Sequence, residues 1–286
     1  MNREKSIRDT HRLVKEISLG VCGNLVDITL FLVCFAGGYI LSSMNTSKGR
    51  VNLEPLKILL KEYPQLRLKL RNVLRLAKRD GLIDGDDGLT SAGFNKLNEI
   101  LPKIKRWPKW SGSLWLITYD VSEKRKKDRE IFRRFLLDQG YGKLQDSVYV
   151  SPFDPTRLVR SEIEKRQFRG EVIVSKMGVD GHIGEMSVKE LISKVYDLES
   201  ISVDYLSYVQ SVSGDFPLEK APFLFLEYLS ILKSDPQLPE ELLPVDWPGK
   251  KAFELTNKKL LPYLQHDKRI EDLVLRNINI YSLKTM

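Results

Sequence analysis

Cysteine is nearly absent from this 286-residue chain, which has two, Cys22 and Cys34. A pair cannot build a disulfide scaffold. Histidine is almost as scarce. His11, His182 and His266 stand far apart, which excludes a structural zinc site of the Cys/His type and leaves no Ser/His/Asp arrangement to argue for. His182 lies in GVDGHIGEM and reads as a surface loop residue. No long apolar run is present either. The most hydrophobic stretch, ITLFLVCFAGGYIL from Ile28 to Leu41, has 14 residues, whereas a spanning helix needs about 20. Gly37 and Gly38 weaken its helical middle. The stretch is expected to be a buried helix, the protein cytoplasmic and the cysteines reduced. Gly-rich loops of the GxGxxG or GxxxxGK type are also missing, so no nucleotide-like cofactor is expected and no metal is assigned.

What the chain does have is positive charge and ample apolar content. Hydrophobic residues make up 42% and charged residues 29%, enough for two or three folded domains. Lys and Arg total 46 against 38 Asp and Glu, a net +8. Divided by segment, residues 1–110 carry +9, residues 111–200 carry +1 and residues 201–286 carry −2. The excess is confined to the first segment, which points to one anion-binding domain joined to domains with other tasks.

That first segment has the order of a winged helix-turn-helix. After the apolar helix comes LEPLKILLKEY, with Pro55 suited to a first helical turn and Pro64 ending it. QLRLKLRNVLRLAKRDG follows, with Leu66, Leu70, Val73, Leu74 and Ala77 on one face and Gly81 as the stop. Leu82–Ile83 and Leu89–Thr90 read as two short strands around the Asp84–Gly88 turn, and Ser91 opens another helix. A helix fits the major groove, where Arg and Lys meet phosphates and guanine edges. The candidate DNA-binding residues are Arg67, Lys69, Arg71, Arg75 and Lys78. The turn DGDDG is acidic, so this wing is expected to touch little DNA. It resembles part of a calcium loop but lacks the bidentate Glu that closes one.

KIKRWPKWSG, residues 103–112, reads as a linker, with Trp107 and Trp110 pinning it to a domain. Beyond it, SLWLITYDV is a strand and SEKRKKDREIFRRFLLDQG a helix with Ile131, Phe135 and Leu136 inward and Gly140 as its stop. GKLQDSVYVSP is a strand pair or one long strand. DPTRLVRSEIEKRQF is a second helix, with Asp154 as its cap, and GEVIVSKMG is a closing strand. This alternation predicts a small ferredoxin-like α/β sandwich. The stretch from Tyr119 to Ser151 resembles the ferredoxin-like subunit of CRISPR adaptation complexes, matching at Tyr119, Asp120, Gln145, Ser147, Val148 and Tyr149. The strand-end Asp of that family is linked in some members to divalent-metal nuclease chemistry, and Asp120 is the matching residue. One carboxylate alone is a poor Mg²⁺ site, and a structural role is favoured for it.

The third segment, acidic and apolar, predicts a helical bundle, with periods at Leu206 and Val209 and from Phe223 to Leu232. DPQLPEELLPVDWPG, Asp235–Gly249, reads as a rigid, turn-rich clamp around Trp247. This phrase, with Tyr196, Asp197, Leu198 and Tyr205 before it, resembles the signature of the PaaX family of phenylacetate-pathway repressors. The resemblance implies an α+β chain. Residues 1–102 would be a winged-helix DNA-binding domain, 103–112 a linker, 113–186 a ferredoxin-like dimerisation domain and 187–286 a helical domain. It also implies a homodimeric regulator of transcription, a repressor on double-stranded DNA, released by a small-molecule effector. Two rivals stand beside it: a metal-dependent nuclease or adaptor using Asp120, and a dimeric interaction scaffold in which the ferredoxin-like sheets pair edge to edge.

Overall fold

The computed structural model describes residues 27, 30–31, 34, 66–85, 88–102, 110–177, 186–217, 220–260 and 262. The expected helix at 53–63, the linker residues 103–109, Asp86, Asp87 and all three histidines lie outside the described residues. The chain divides into two compact units. One comprises 1–105, 203–234 and 248–286, and the other 106–202 and 235–247.

The second unit is built on a four-stranded antiparallel sheet. Its strands are β1 (Leu114–Asp120), β2 (Gly142–Gln145), β3 (Val148–Ser151) and β4 (Glu171–Met177), in the order β2-β3-β1-β4. The sequence expectation left β2 and β3 open as one strand or two. They form a hairpin around Asp146 and Ser147, with Lys143 bonded to the Asp146 carboxylate at 2.8 Å. Helix α3 (Lys126–Asp138) joins β1 to β2, and α4 (Thr156–Arg166) joins β3 to β4. The strand order and the two crossings are those of a split β-α-β sandwich. Earlier in the sequence, and part of the other unit, come α1 (Leu66–Arg79) and α2 (Ser91–Ile100).

The stops and caps follow local chemistry. Gly140 ends α3 with φ 81, where the Tyr141 N–H returns to the Leu136 carbonyl at 3.1 Å. Pro155, not the expected Asp154, is the N-cap of α4, and the Asp154 carboxylate instead accepts from Thr156 N at 2.9 Å in a turn just before the helix. One face of the sheet holds the core: Ile117, Tyr119, Val121 and Tyr149 from the sheet and its rim, with Phe132 and Leu136 of α3 and Val159 of α4. Phe132 stands edge-on to Tyr119 at 5.1 Å. The expected inward residue Ile131 is instead 41% exposed. The larger ring of Phe132 takes the buried position, and this rotates the helix face by one residue.

On the opposite face, α5 (Val188–Val195) covers the β2 end. Its start is a capping box: Ser187 Oγ accepts from Glu190 N, and the Glu190 carboxylate accepts from Ser187 N at 2.7 Å. Gly142 sits directly under Val195 and Tyr196, and the Tyr196 hydroxyl donates to the Val150 carbonyl at 3.1 Å. The segment 235–247 belongs to this unit and has the turn-rich form expected of it. The Asp235 carboxylate accepts from Gln237 N at 2.6 Å, Gln237 takes φ 55, and the short 3₁₀ turn Glu240–Leu242 buries Leu242. Trp247 is buried, as its sequence context suggested.

The first unit contains α7 (Ala221–Ser234) and α8 (Gly249–Leu255), the latter running on into a π turn at Thr256–Leu260. It also takes the Val203–Ser213 part of α6, a helix spanning Leu198–Ser213. The buried face of α6 is Tyr205, Tyr208 and Val212. The expected inward residue Leu206 is 51% exposed, because the tyrosine rings occupy the packed stripe. Tyr208 packs on Tyr228 at 5.5 Å and its hydroxyl bonds Thr256 Oγ1 at 2.6 Å. Leu30, Phe31 and Cys34 are helical and buried, and Phe31 stacks on Phe225 at 6.0 Å. The apolar stretch therefore supplies core at these positions. Among the described residues, no helix is long and apolar enough to cross a membrane.

Candidate nucleic-acid interface

All five basic residues singled out from the sequence fall on α1. Val73 and Ala77 are buried on its inner face, while Arg75 and Lys78 are exposed. By helical register, positions 67, 71, 75 and 78 fall along one stripe, separated by four, four and three residues. Position 69 falls off that stripe. Arg79, which was not singled out, bonds the Asp80 carboxylate at 2.9 Å.

The end of α1 is fixed by Gly81, whose φ of 69 lets the Leu82 N–H reach back to the Ala77 carbonyl at 2.8 Å. Where two short strands were expected, the described residues form a single antiparallel bridge between Ile83 and Leu89. The Asp84 carboxylate accepts from Gly88 N at 2.7 Å, and Asp84 N donates to the Gly88 carbonyl at 2.8 Å. Asp84 is thus a turn-forming residue, and Lys78 Nζ lies 3.5 Å from the Gly85 carbonyl beside it. Thr90 caps α2 by accepting from Gly93 N at 3.1 Å. Gly93 leaves room for the Leu82 carbonyl, which a side chain there would strike. Helix α1, the bridge and α2 are therefore tied into one small body whose outer helix presents Arg75 and Lys78.

Asp120 lies in the other unit, exposed at the end of β1 and opposite Glu171 of β4 in the ladder. Above it on the same strand, burial and the neighbouring Tyr149 push the Tyr119 hydroxyl up to about 12, so it stays protonated. Its hydroxyl donates to the Asp146 carbonyl at 3.3 Å. Among the described residues, no group of three or more His, Cys, Asp or Glu side chains is placed to hold a metal ion. Arg129 sits near this strand end, donating to the Val121 carbonyl at 2.6 Å.

In the chain, a split β-α-β sandwich follows a basic helix–bridge–helix body. Comparison with known proteins narrows the class. Residues 108–189 match the PaaX protein central Cas2-like domain, and residues 220–267 match the PaaX-like protein C-terminal domain. These two matches support a likeness to the PaaX-like family. It is 24% identical over 183 residues to the transcriptional repressor PaaX of Escherichia coli (strain K12), covering 58% of this chain and 57% of the repressor. The chain thus spans a little over half the length of that relative. An uncharacterized protein from Mycobacterium tuberculosis superposes with a TM-score of 0.46 at 16% identity, over 72% of this chain and 84% of that one.

Proposed function

We propose that this chain is a sequence-specific, DNA-binding regulator of transcription that acts as a homodimeric repressor and is released by a small-molecule effector. The observation that carries the reading is the match of two successive segments to PaaX-type domains, preceded by a strongly basic N-terminal segment. In this reading, residues 1–102 form a winged helix, and α1 enters the major groove with Arg67, Arg71, Arg75 and Lys78 along its outer stripe. Lys69 lies off that stripe and adds to the positive charge of the helix as a whole. Asp84 keeps the wing folded on itself. The likeness to a transcriptional repressor supports the direction of control.

Dimerisation is assigned to the sheet domain, residues 113–186. The face of the sheet away from α3 and α4 carries Leu116, Thr118 and Val148, half-buried, and Ile173, 61% exposed on the outer strand β4. A dimer reads two half-sites separated by about one helical turn of DNA or a multiple of it.

The test is a mobility-shift titration of the full chain against the DNA upstream of its own gene, at several salt concentrations. Affinity is expected to fall steeply with salt, because each phosphate contact releases counterions. The double variant Arg71→Ala and Arg75→Ala is expected to bind at least about tenfold more weakly, from two lost contacts of roughly 1 kcal/mol or more each. No shift at low salt rejects the reading, and unchanged affinity in the double variant rejects α1 as the recognition helix. The rival nuclease reading is tested in the same tubes. Mg²⁺- or Mn²⁺-dependent cleavage that disappears in Asp120→Ala would replace regulation with catalysis.

A further inference from the structure

The near-neutrality of the middle segment conceals a division of charge. Residues 123–138 hold seven basic and four acidic side chains, and residues 156–169 hold five and two. Together these stretches carry +6, while the rest of 111–200 carries −5. The first stretch is α3 with its leading turn, and the second is α4 with its exit. Both helices cover the same face of the sheet, because Phe132, Leu136 and Val159 share its core. The Phe132 ring lies 4.6 Å from that of Phe168, just past α4. The positive charge therefore belongs to the outer surface of one layer.

Ion pairing separates the cations that serve the fold from those that do not. Arg133 grips Glu130 with two hydrogen bonds of 2.7 and 2.8 Å, and Arg129 holds the Val121 carbonyl. Arg166 is bound to Glu162. Lys124, Lys127, Arg157, Arg160 and Lys165 are exposed and make no ion pair or hydrogen bond among the described residues. Arg134 is 69% exposed and lies 3.8 Å from the Glu130 carboxylate that Arg133 already occupies. Lys127 and Arg134 stand seven residues apart on α3, and Arg157 and Arg160 stand three apart on α4, so each pair shares an outward stripe. Six like charges on one surface repel one another, and a polyanion relieves that repulsion.

The surrounding chemistry favours one polyanion. Phe132 is buried and Phe135 and Phe168 are half-buried against the core, so among the described residues of α3 and α4 and the exit of α4 no fully exposed ring is offered for stacking unpaired bases. Flexible cations in two rows suit the repeating phosphates of a duplex, which need no base-edge geometry. We infer that the outer surface of α3 and α4 is a second, sequence-independent contact for the phosphate backbone of double-stranded DNA. This rests on the DNA-binding reading and adds to it a site in the other unit. In it, α1 supplies discrimination, and the α3–α4 surface supplies affinity and salt dependence.

The experiment measures binding of the full chain to a preferred duplex and to a random-sequence duplex across a salt series. Two triple variants are used, K124Q/K127Q/R134Q and R157Q/R160Q/K165Q, together with their sixfold combination. All six side chains are exposed, so the thermal unfolding midpoint should hold, and each triple variant reports separately if the combination does not fold. The sixfold variant is expected to bind both duplexes about tenfold more weakly or worse, by similar factors. Its slope of log affinity against log salt should be shallower by about two or more. Arg75→Ala is expected instead to erode the preference between the two duplexes. Unchanged affinity and slope for the random duplex in the variants overturn the inference and leave the regulator reading standing. Failure of the unaltered chain to bind any duplex at low salt overturns both. If the sixfold variant loses binding to phosphatidylserine vesicles while its duplex affinity is unchanged, the surface belongs to a membrane and the inference falls.

Discussion

At the scale of single residues, one tightly constrained position has no side chain. Gly142 opens β2 beneath the end of α5. A Cβ there would strike Val195 and come within 3.0 Å of the Tyr196 ring. That ring cannot move freely, because its hydroxyl is held by the Val150 carbonyl across the hairpin. Overpacking of this kind costs roughly 1–3 kcal/mol. Gly142→Ala is therefore expected to lower the midpoint of urea unfolding by that amount, and Gly142→Val by more. If alanine is tolerated with a shift under about 0.5 kcal/mol, α5 is free to lift from the sheet, since surface changes are usually that small. Asp84 makes a contrasting point. Its position in a DGDDG run suggested a failed calcium loop, yet its carboxylate is used on the Gly88 N–H. A short acidic side chain in a tight turn is first a turn former.

At the scale of elements, the unusual feature is the π turn that ends α8. It places Thr256 and Lys259 against the same neighbour. Thr256 Oγ1 meets the Tyr208 hydroxyl and bonds the Ala252 carbonyl at 2.8 Å, while Lys259 Nζ caps the end of α6 at the Ser213 carbonyl, 2.7 Å away. Burial pushes the Tyr208 hydroxyl well above its ordinary range, with the Thr256 bond pulling partly back. Thr256→Val keeps the shape and strands a buried hydroxyl, a change expected to cost about 1–3 kcal/mol. The double variant with Tyr208→Phe should recover much of it. Additive losses in this cycle would mean the two groups are not coupled. Elements of this kind mark the limit of what the sequence makes legible. The strands and both crossing helices of the sandwich could be read, because alternation, Gly140 and Asp154 are local signals. Which residue of α3 turns inward could not. Ile131 and Phe132 are both apolar neighbours, and the Tyr119 and Phe168 rings that choose between them come from distant parts of the chain. For the same reason Leu206 was read as core in place of Tyr205 and Tyr208, since a tyrosine looks half polar until its hydroxyl partner is known. The basic stripe of α1 was legible by spacing. The basic layer of α3 and α4 was not, because a segment sum cancels it against acids on other elements.

At the scale of the molecule, both units bury tyrosines that hold their protons. Tyr119 and Tyr141 are pushed up to about 12, and Tyr196 and Tyr208 are raised further, burial being the leading cause in each case. Their folded values lie above the ordinary value near 10.0, so the unfolded chain releases protons first. The stabilisation they represent is complete below that ordinary value and is lost as pH rises towards the folded values. Urea midpoints are expected to be flat from pH 8 to 9 and to fall beyond 10, with a weaker fall in Tyr196→Phe. A flat profile through pH 11 would mean that these hydroxyls ionise within the fold. The sheet carries the remaining consequence. Among the described residues, its order leaves β4 paired on one side, with β1. Along that strand Ile173 is 61% exposed beside half-buried Thr118 and Leu116 on the same face. An outer strand with an apolar face invites pairing with another chain. If this face joins two copies, Ile173→Lys introduces like charges where the copies meet and strips an apolar contact at once. Sedimentation should then show the dimer converting to monomer at micromolar concentration, with the unfolding midpoint of the sheet unit little changed. Operator affinity should fall far more than random-duplex affinity, because the two half-sites would no longer be read together. A dimer that persists in Ile173→Lys places the interface elsewhere in the chain.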